Sequence, residues 1–154
     1  MNIKQSLFTN NVWWNNEKIN PQFLLGRKRE EFNDIKSNLD KKRILSIIGP
    51  RRVGKSTLIY QTIDYLKNEK KIDKKRILLF SGDDPSLFFN ENDKLSDILD
   101  LYFNEILEES ISKLTSKVYI FIDEIHFIKN WQNYLKICFD RKYNIKFIIS
   151  RSSS

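Results

Sequence analysis

The chain has 154 residues, 40% of them hydrophobic and 31% charged, with a formal net charge of +7. That length suits one domain with a real core, and the composition is ordinary for a soluble globular protein. A single cysteine, Cys138, excludes an internal disulfide and points to a reducing, cytoplasmic compartment. The longest apolar runs, such as Val118 to Ile122, are too short for a membrane-spanning helix, and Met1 to Asn10 lacks the apolar stretch of a secretory signal. The positive charge suits either an anionic partner, nucleic acid included, or a plainly solvated lysine-rich surface.

Met1 to Gly26, with Trp13, Trp14, Pro21 and several asparagines, has the least regular pattern and reads as an irregular arm before a core spanning 27–154. Arg27 to Leu39 places Phe32, Ile35 and Leu39 at helical spacing. Arg43 to Ile48 is a short apolar run ending at a glycine, as a buried strand does. Ser56 to Asn68 reads as a helix with Leu58, Ile59, Ile63 and Leu66 on one face. A second strand, Arg76 to Ser81, stops at the turn sequence Gly82-Asp83-Asp84-Pro85. A helix over Leu95 to Ile111, a strand over Val118 to Ile122, a helix over Trp131 to Arg141 and a strand over Ile145 to Ile149 complete the order. Nearly all-apolar strands alternating with helices predict an α/β fold whose parallel sheet is covered on both faces.

Between the first strand and the next helix lies Gly49-Pro50-Arg51-Arg52-Val53-Gly54-Lys55-Ser56-Thr57. It fits the G-x-x-x-x-G-K-[ST] pattern in the strand–loop–helix context that gives the pattern meaning. Glycines let the backbone come close to phosphate oxygens, and successive N–H groups form an anion-binding concavity at the start of the following helix. In such a loop Lys55 reaches the β- and γ-phosphates of ATP and the Ser56 hydroxyl takes Mg²⁺. The acidic partner is expected at the end of another apolar strand, and Val118 to Ile122 runs into Asp123-Glu124. Asp123 is then the second magnesium-side group, through water, and Glu124 the general base that polarises the attacking water.

These motifs, with Trp13-Trp14, Phe80-Ser-Gly-Asp-Asp-Pro85, Tyr119 to His126, Trp131 and Asn144 to Ser150, resemble the prokaryotic AAA-type ATPases. In that family the ATPase core precedes a C-terminal domain of uncertain function. The resemblance implies a three-layer P-loop NTPase core with the fourth strand between the first and third. It also puts Ser150 where a polar sensor meets the γ-phosphate or the attacking water. Two departures stand out. Arg151 replaces the glycine of a Ser-Gly-Ser-Ser turn, which bears on the sensor's local geometry. The sequence also ends at Ser154, so the core is expected to be a fragment truncated after the fourth strand, without a fifth strand and helical lid. An unpaired first strand would then invite self-association.

Three function classes follow: an ATPase, a nucleotide-holding switch with little turnover, and a basic nucleic-acid-binding module. His126 reads equally as a relay of the γ-phosphate state or a structural histidine. Trp131 reads as a packing anchor, Trp13 and Trp14 as a cover over an apolar edge ahead of a frame for the adenine pocket, and Cys138 as an inert core residue. Asp83 and Asp84 suit either the site or the turn before Pro85. Lys41-Lys42-Arg43 and Lys74-Lys75-Arg76 each precede a parallel strand. They therefore belong to the edge of the sheet opposite the nucleotide, as a solvated face or a nucleic-acid contact.

Overall fold

The computed structural model describes residues 2–26, 29–49 and 54–152. Strands β1 (Leu45–Gly49), β2 (Ile77–Ser81), β3 (Val118–Asp123) and β4 (Ile145–Ser152) form one all-parallel sheet in the order β1-β4-β3-β2. This is the order the resemblance implies, with the fourth strand between the first and third. Val, Ile, Phe and Tyr make β3 a near-continuous apolar run. Its residues Val118 to Ile122 are at most 6% exposed, although successive side chains point to opposite faces. Both faces are therefore covered.

Helices α2 (Arg29–Asn38) and α3 (Lys55–Asn68) pack against each other, as do α4 (Leu95–Leu101) and α5 (Trp131–Asp140). The expected long helix after residue 95 changes character: α4 continues as a π-helical stretch, Tyr102–Leu107, closed by Glu108 at φ 57°. The wider turn sets the buried Tyr102 ring in a stack with Trp14, centroids 5.9 Å apart, and its hydroxyl on the Lys75 carbonyl at 2.5 Å.

The arm expected to be irregular carries an eight-residue helix, α1 (Ile3–Asn10), closed at its start by an Asn2–Gln5 capping box. Two 3₁₀ turns follow, Val12–Asn15 and Pro21–Leu24. The arm lies along β2. The Asn11 side-chain amide both accepts from the Leu79 N–H (2.7 Å) and donates to the Leu79 carbonyl (2.8 Å). The indole N–H groups of Trp13 and Trp14 converge on the Ile77 carbonyl at 3.0 and 2.9 Å. Both indoles are buried against the start of β2, so they cover the β2 edge. No such cover reaches β1 among the described residues, and Ile48 remains 57% exposed.

Candidate functional site

In a parallel sheet every strand delivers its carboxyl end to the same edge, where open α/β sheets bind ligands. Here that edge gathers Gly49 from β1, Ser81 from β2, Asp123 from β3, and Ser150 and Ser152 from β4. A cavity of about 540 Å³ opens there, lined by Gly54 to Thr57, Ser81, Asp83, Asp123 and Glu124. Pro50, Arg51, Arg52 and Val53 of the expected phosphate loop lie outside the described residues. Gly54 caps α3 at φ 81°, a left-handed conformation that disfavours any side chain, and from it α3 begins at Lys55.

Lys55 is only 7% exposed, and its Nζ lies 3.1 Å from Glu124 Oε1 and 3.1 Å from Ser152 Oγ. One turn edge further, Ser56 Oγ donates to Asp123 Oδ2 at 3.0 Å. The other Asp123 oxygen accepts from the Ser150 hydroxyl and from the Glu124 N–H (3.1 Å). Ser150 is fully buried and in turn accepts from the Glu124 N–H at 3.0 Å. It braces the Asp-Glu pair through backbone and side chain together.

Glu124 stands at φ 48°, a left-handed conformation uncommon for a residue with a side chain. That kink turns the carboxylate back over the sheet edge. Burial pushes its carboxyl up, but hydrogen bonds from Lys55 and Ser152, with the charges of Lys55 and His126, outweigh burial and hold it below its ordinary value. His126 Nε2 lies 3.6 Å from Glu124 Oε2. Tyr60 faces the same region, its phenol pushed up by burial first and by the Asp123 charge second.

Ser152 escaped the sequence reading, which ended the last strand at Ile149. The strand runs three residues further, and residues two apart share a face, so Ser150 and Ser152 both meet the Asp-Glu pair. That period-two spacing was the available signal. Arg151 between them is exposed, registers with Ile48 and has no positive φ, so extended backbone accommodates it where a turn glycine was expected.

The remaining residues divide. Asp83 lines the cavity and accepts from Ser81 Oγ at 2.5 Å. Asp84 instead holds the turn, accepting from the Ser86 N–H and from Asn10 Nδ2 at 2.9 and 3.1 Å. Cys138 is buried, and burial foremost pushes its thiol up to about 11, so it is inert as a nucleophile. Trp131, partly buried at the start of α5, packs against the core. No helix among the described residues is long and apolar enough to cross a membrane.

Comparisons with known proteins agree with this fold. An uncharacterized protein of Methanocaldococcus jannaschii is 35% identical over 135 residues, which cover 83% of this chain and 26% of that protein. Another uncharacterized protein, from Haemophilus influenzae, is 33% identical over 97 residues, or 61% of this chain and 22% of that one. The chain thus spans about a quarter of the length of these relatives. The structure of C. elegans PCH-2 matches with a TM-score of 0.54 over 84% of this chain and 38% of that chain. At 19% identity this is a likeness of fold. A model of the AAA domain matches residues 41–154, a stretch that takes in all four strands and every site residue from Gly49 to Ser152, and the chain belongs to that family.

Proposed function

We propose that this chain is the nucleotide-binding core of an ATPase that hydrolyses ATP with magnesium. The observation that carries the reading is the convergence in one cavity of Lys55 on Glu124 and of Ser56 on Asp123. The sequence from Gly49 to Thr57 has the pattern of a phosphate-holding loop, and on binding Lys55 would exchange Glu124 for the β- and γ-phosphate oxygens. Ser56 and Asp123 are hard oxygen donors 3.0 Å apart, a set that fits Mg²⁺. No group of three or more His, Cys, Asp or Glu among the described residues could hold a metal by itself. This suits an ion that arrives with phosphates and keeps its own waters. When bound, magnesium neutralises charge on the phosphate oxygens. Glu124 accepts the proton of the attacking water, and Ser150 keeps the Asp-Glu pair aimed at the γ-phosphate.

A second reading, a nucleotide-holding switch with little turnover, draws on the same ion pair. While Lys55 and Glu124 satisfy each other, neither is free for phosphate or water. The chain suits a cytoplasmic setting, and the β1 edge, unpaired on one side among the described residues, suits self-association. Calorimetry with a non-hydrolysable ATP analogue, followed by phosphate-release kinetics, tests the two readings. Micromolar binding with turnover supports the ATPase, binding without turnover the switch, and no binding overturns both.

A further inference from the structure

The two basic triplets have different fates. Lys74-Lys75-Arg76 is absorbed by the fold. Arg76 pairs with Glu109 at 2.7 Å, Lys75 lies 4.7 Å over the Phe8 ring, and Lys74 bonds Asn16. In Lys41-Lys42-Arg43 only Arg43 has a side-chain partner, the Asn38 amide oxygen at 2.5 Å, and the triplet is otherwise left to the surface. It lines a second cavity of about 540 Å³ at the amino-terminal edge of the sheet, across the molecule from the nucleotide site. Lys117 before β3, Lys142 after α5 and Lys146 within β4 join it. None of these six cations pairs with a carboxylate among the described residues, and Asp40 is the one acidic residue in the lining.

The floor of the cavity is built from a charge. Lys146 is 3% exposed, which is rare for a lysine without an ion partner. It donates to the carbonyls of Lys41 (2.9 Å) and Arg43 (2.6 Å), two of the three bonds an ammonium can donate. Burial foremost, then the Lys117 and Arg43 charges, push it down to about 8. The cations repel one another, and an anion would relieve them. Beside them stand Phe139, 56% exposed, and Tyr143, so the cavity offers flat apolar walls under a cationic rim.

We propose that this second cavity binds single-stranded nucleic acid, with backbone phosphates on Lys41, Lys42, Lys117 and Lys142 and one base seated against Phe139 and Tyr143. The starts of β1, β4 and β3 are neighbours about 5 Å apart, so the segments that carry these cations follow one another along the sheet edge. A row tracks a polymer backbone, whereas a single small anion would use only part of it. A concave apolar pocket accepts an unstacked base, and a duplex keeps its bases in the stack and shows the pocket only its backbone. The site is independent of the ATP site and does not rest on the ATPase reading.

The test is fluorescence anisotropy of a labelled oligothymidylate, about twelve nucleotides long, from about 50 to about 200 mM salt. Three or four phosphate contacts give a log–log salt slope of about −2 to −3. The exposed-site variant Lys41→Glu/Lys142→Glu should weaken binding tenfold or more, and Phe139→Ala several-fold with the salt slope unchanged. Lys55→Ala should leave binding intact, which separates failure here from failure of the nucleotide site. Absence of binding at the lowest salt overturns the proposal. So does equal affinity for the matching duplex, equal displacement by polyglutamate, or an equal loss on Lys74→Glu, since each would mean undirected charge attraction.

Discussion

The ammonium of Lys55 and the carboxylate of Glu124 lie 3.1 Å apart, both largely buried, so the loop lysine and the strand-end acid neutralise each other. On the proposed function, ATP would have to break this pair to bind. Two opposite outcomes follow for its two halves. Lys55→Ala removes the cation meant for the β/γ-phosphates and should abolish binding. Glu124→Gln removes the competing charge and should tighten binding a few-fold, while hydrolysis falls on the order of a hundredfold or more. Calorimetry and phosphate release on folded variants distinguish the effects; unchanged affinity of Lys55→Ala would exclude the loop as the site.

Ser152 bonds both partners of that pair, at 3.1 Å to Lys55 and 3.0 Å to the far Glu124 oxygen. It acts as a positioning residue. Ser152→Ala should lower kcat on the order of tenfold with KM nearly unchanged, because Glu124 loses its orientation more than the phosphates lose contacts. Ser152→Thr, which keeps the hydroxyl, should recover most of the rate. Equal losses in both variants would point to packing.

Gly82 is the close approach beneath the site. A Cβ there would sit 2.4 Å from the Glu124 carbonyl oxygen, and the Gly82 N–H already bonds the Asp123 carbonyl at 2.8 Å. Backbone cannot swing aside as a flexible side chain can. Gly82→Ala should therefore cost roughly 1–3 kcal/mol in a denaturant melt and displace the kinked Glu124. A variant with wild-type stability would mean the turn after β2 can shift freely.

Lys146 gives a pH signature whose sign is fixed. Its ammonium is pushed down to about 8 in the folded chain from an ordinary 10.5. Between those values the unfolded chain holds a proton that the folded chain has released, so this group's contribution to stability rises with pH across that window. Cys138, raised to about 11, works in the opposite sense above its ordinary 9.0. The measurement is thus a difference: wild type against Lys146→Met, melted from pH 7 to 10. The wild-type curve should climb relative to the variant above about pH 8. Parallel curves would mean Lys146 titrates as an ordinary lysine.

The two sheet edges should differ in hydrogen exchange. At β2 the Leu79 N–H donates to Asn11 at 2.7 Å, whereas β1 is bonded only on its β4 side among the described residues. The Leu79 amide should exchange slowly, and the Leu45 to Gly49 amides facing away from β4 quickly. Asn11→Ala leaves a buried N–H and C=O unpaired, costing about 1–3 kcal/mol and exposing Leu79 to exchange. Protection of all β1 amides would mean that edge is covered in solution.

Much of the core was legible in the sequence because it rests on short-range rules. Apolar runs of strand length, apolar residues at helical spacing and a glycine-framed loop before Lys55 set the element order and its boundaries to within a few residues. The same rules placed Asp123 and Glu124 at a strand end. Elsewhere local pattern was ambiguous. Asn2 and Gln5 cap a helix in an arm that looked irregular because its hydrophobic stripe is weak. Its tryptophans could have faced adenine or an edge, and that depends on which carbonyl lies opposite, a contact across more than sixty residues.

The sequence by itself determined which residues carry the charge and the phosphate-loop pattern, since side-chain chemistry and spacing are written in the chain. Only the tertiary structure decided which of them meet. Ser152 joins Lys55 because β4 lies beside β1 and runs on past Ile149, and strand neighbours in a parallel sheet come from distant parts of the chain. Lys41-Lys42-Arg43 and Lys74-Lys75-Arg76 look alike as sequence. One triplet meets Glu109, Phe8 and Asn16, while in the other only Arg43 finds a side-chain partner, Asn38, and the rest line a cavity with cations, aromatic walls and Asp40, because long-range packing determines which partners reach each charge.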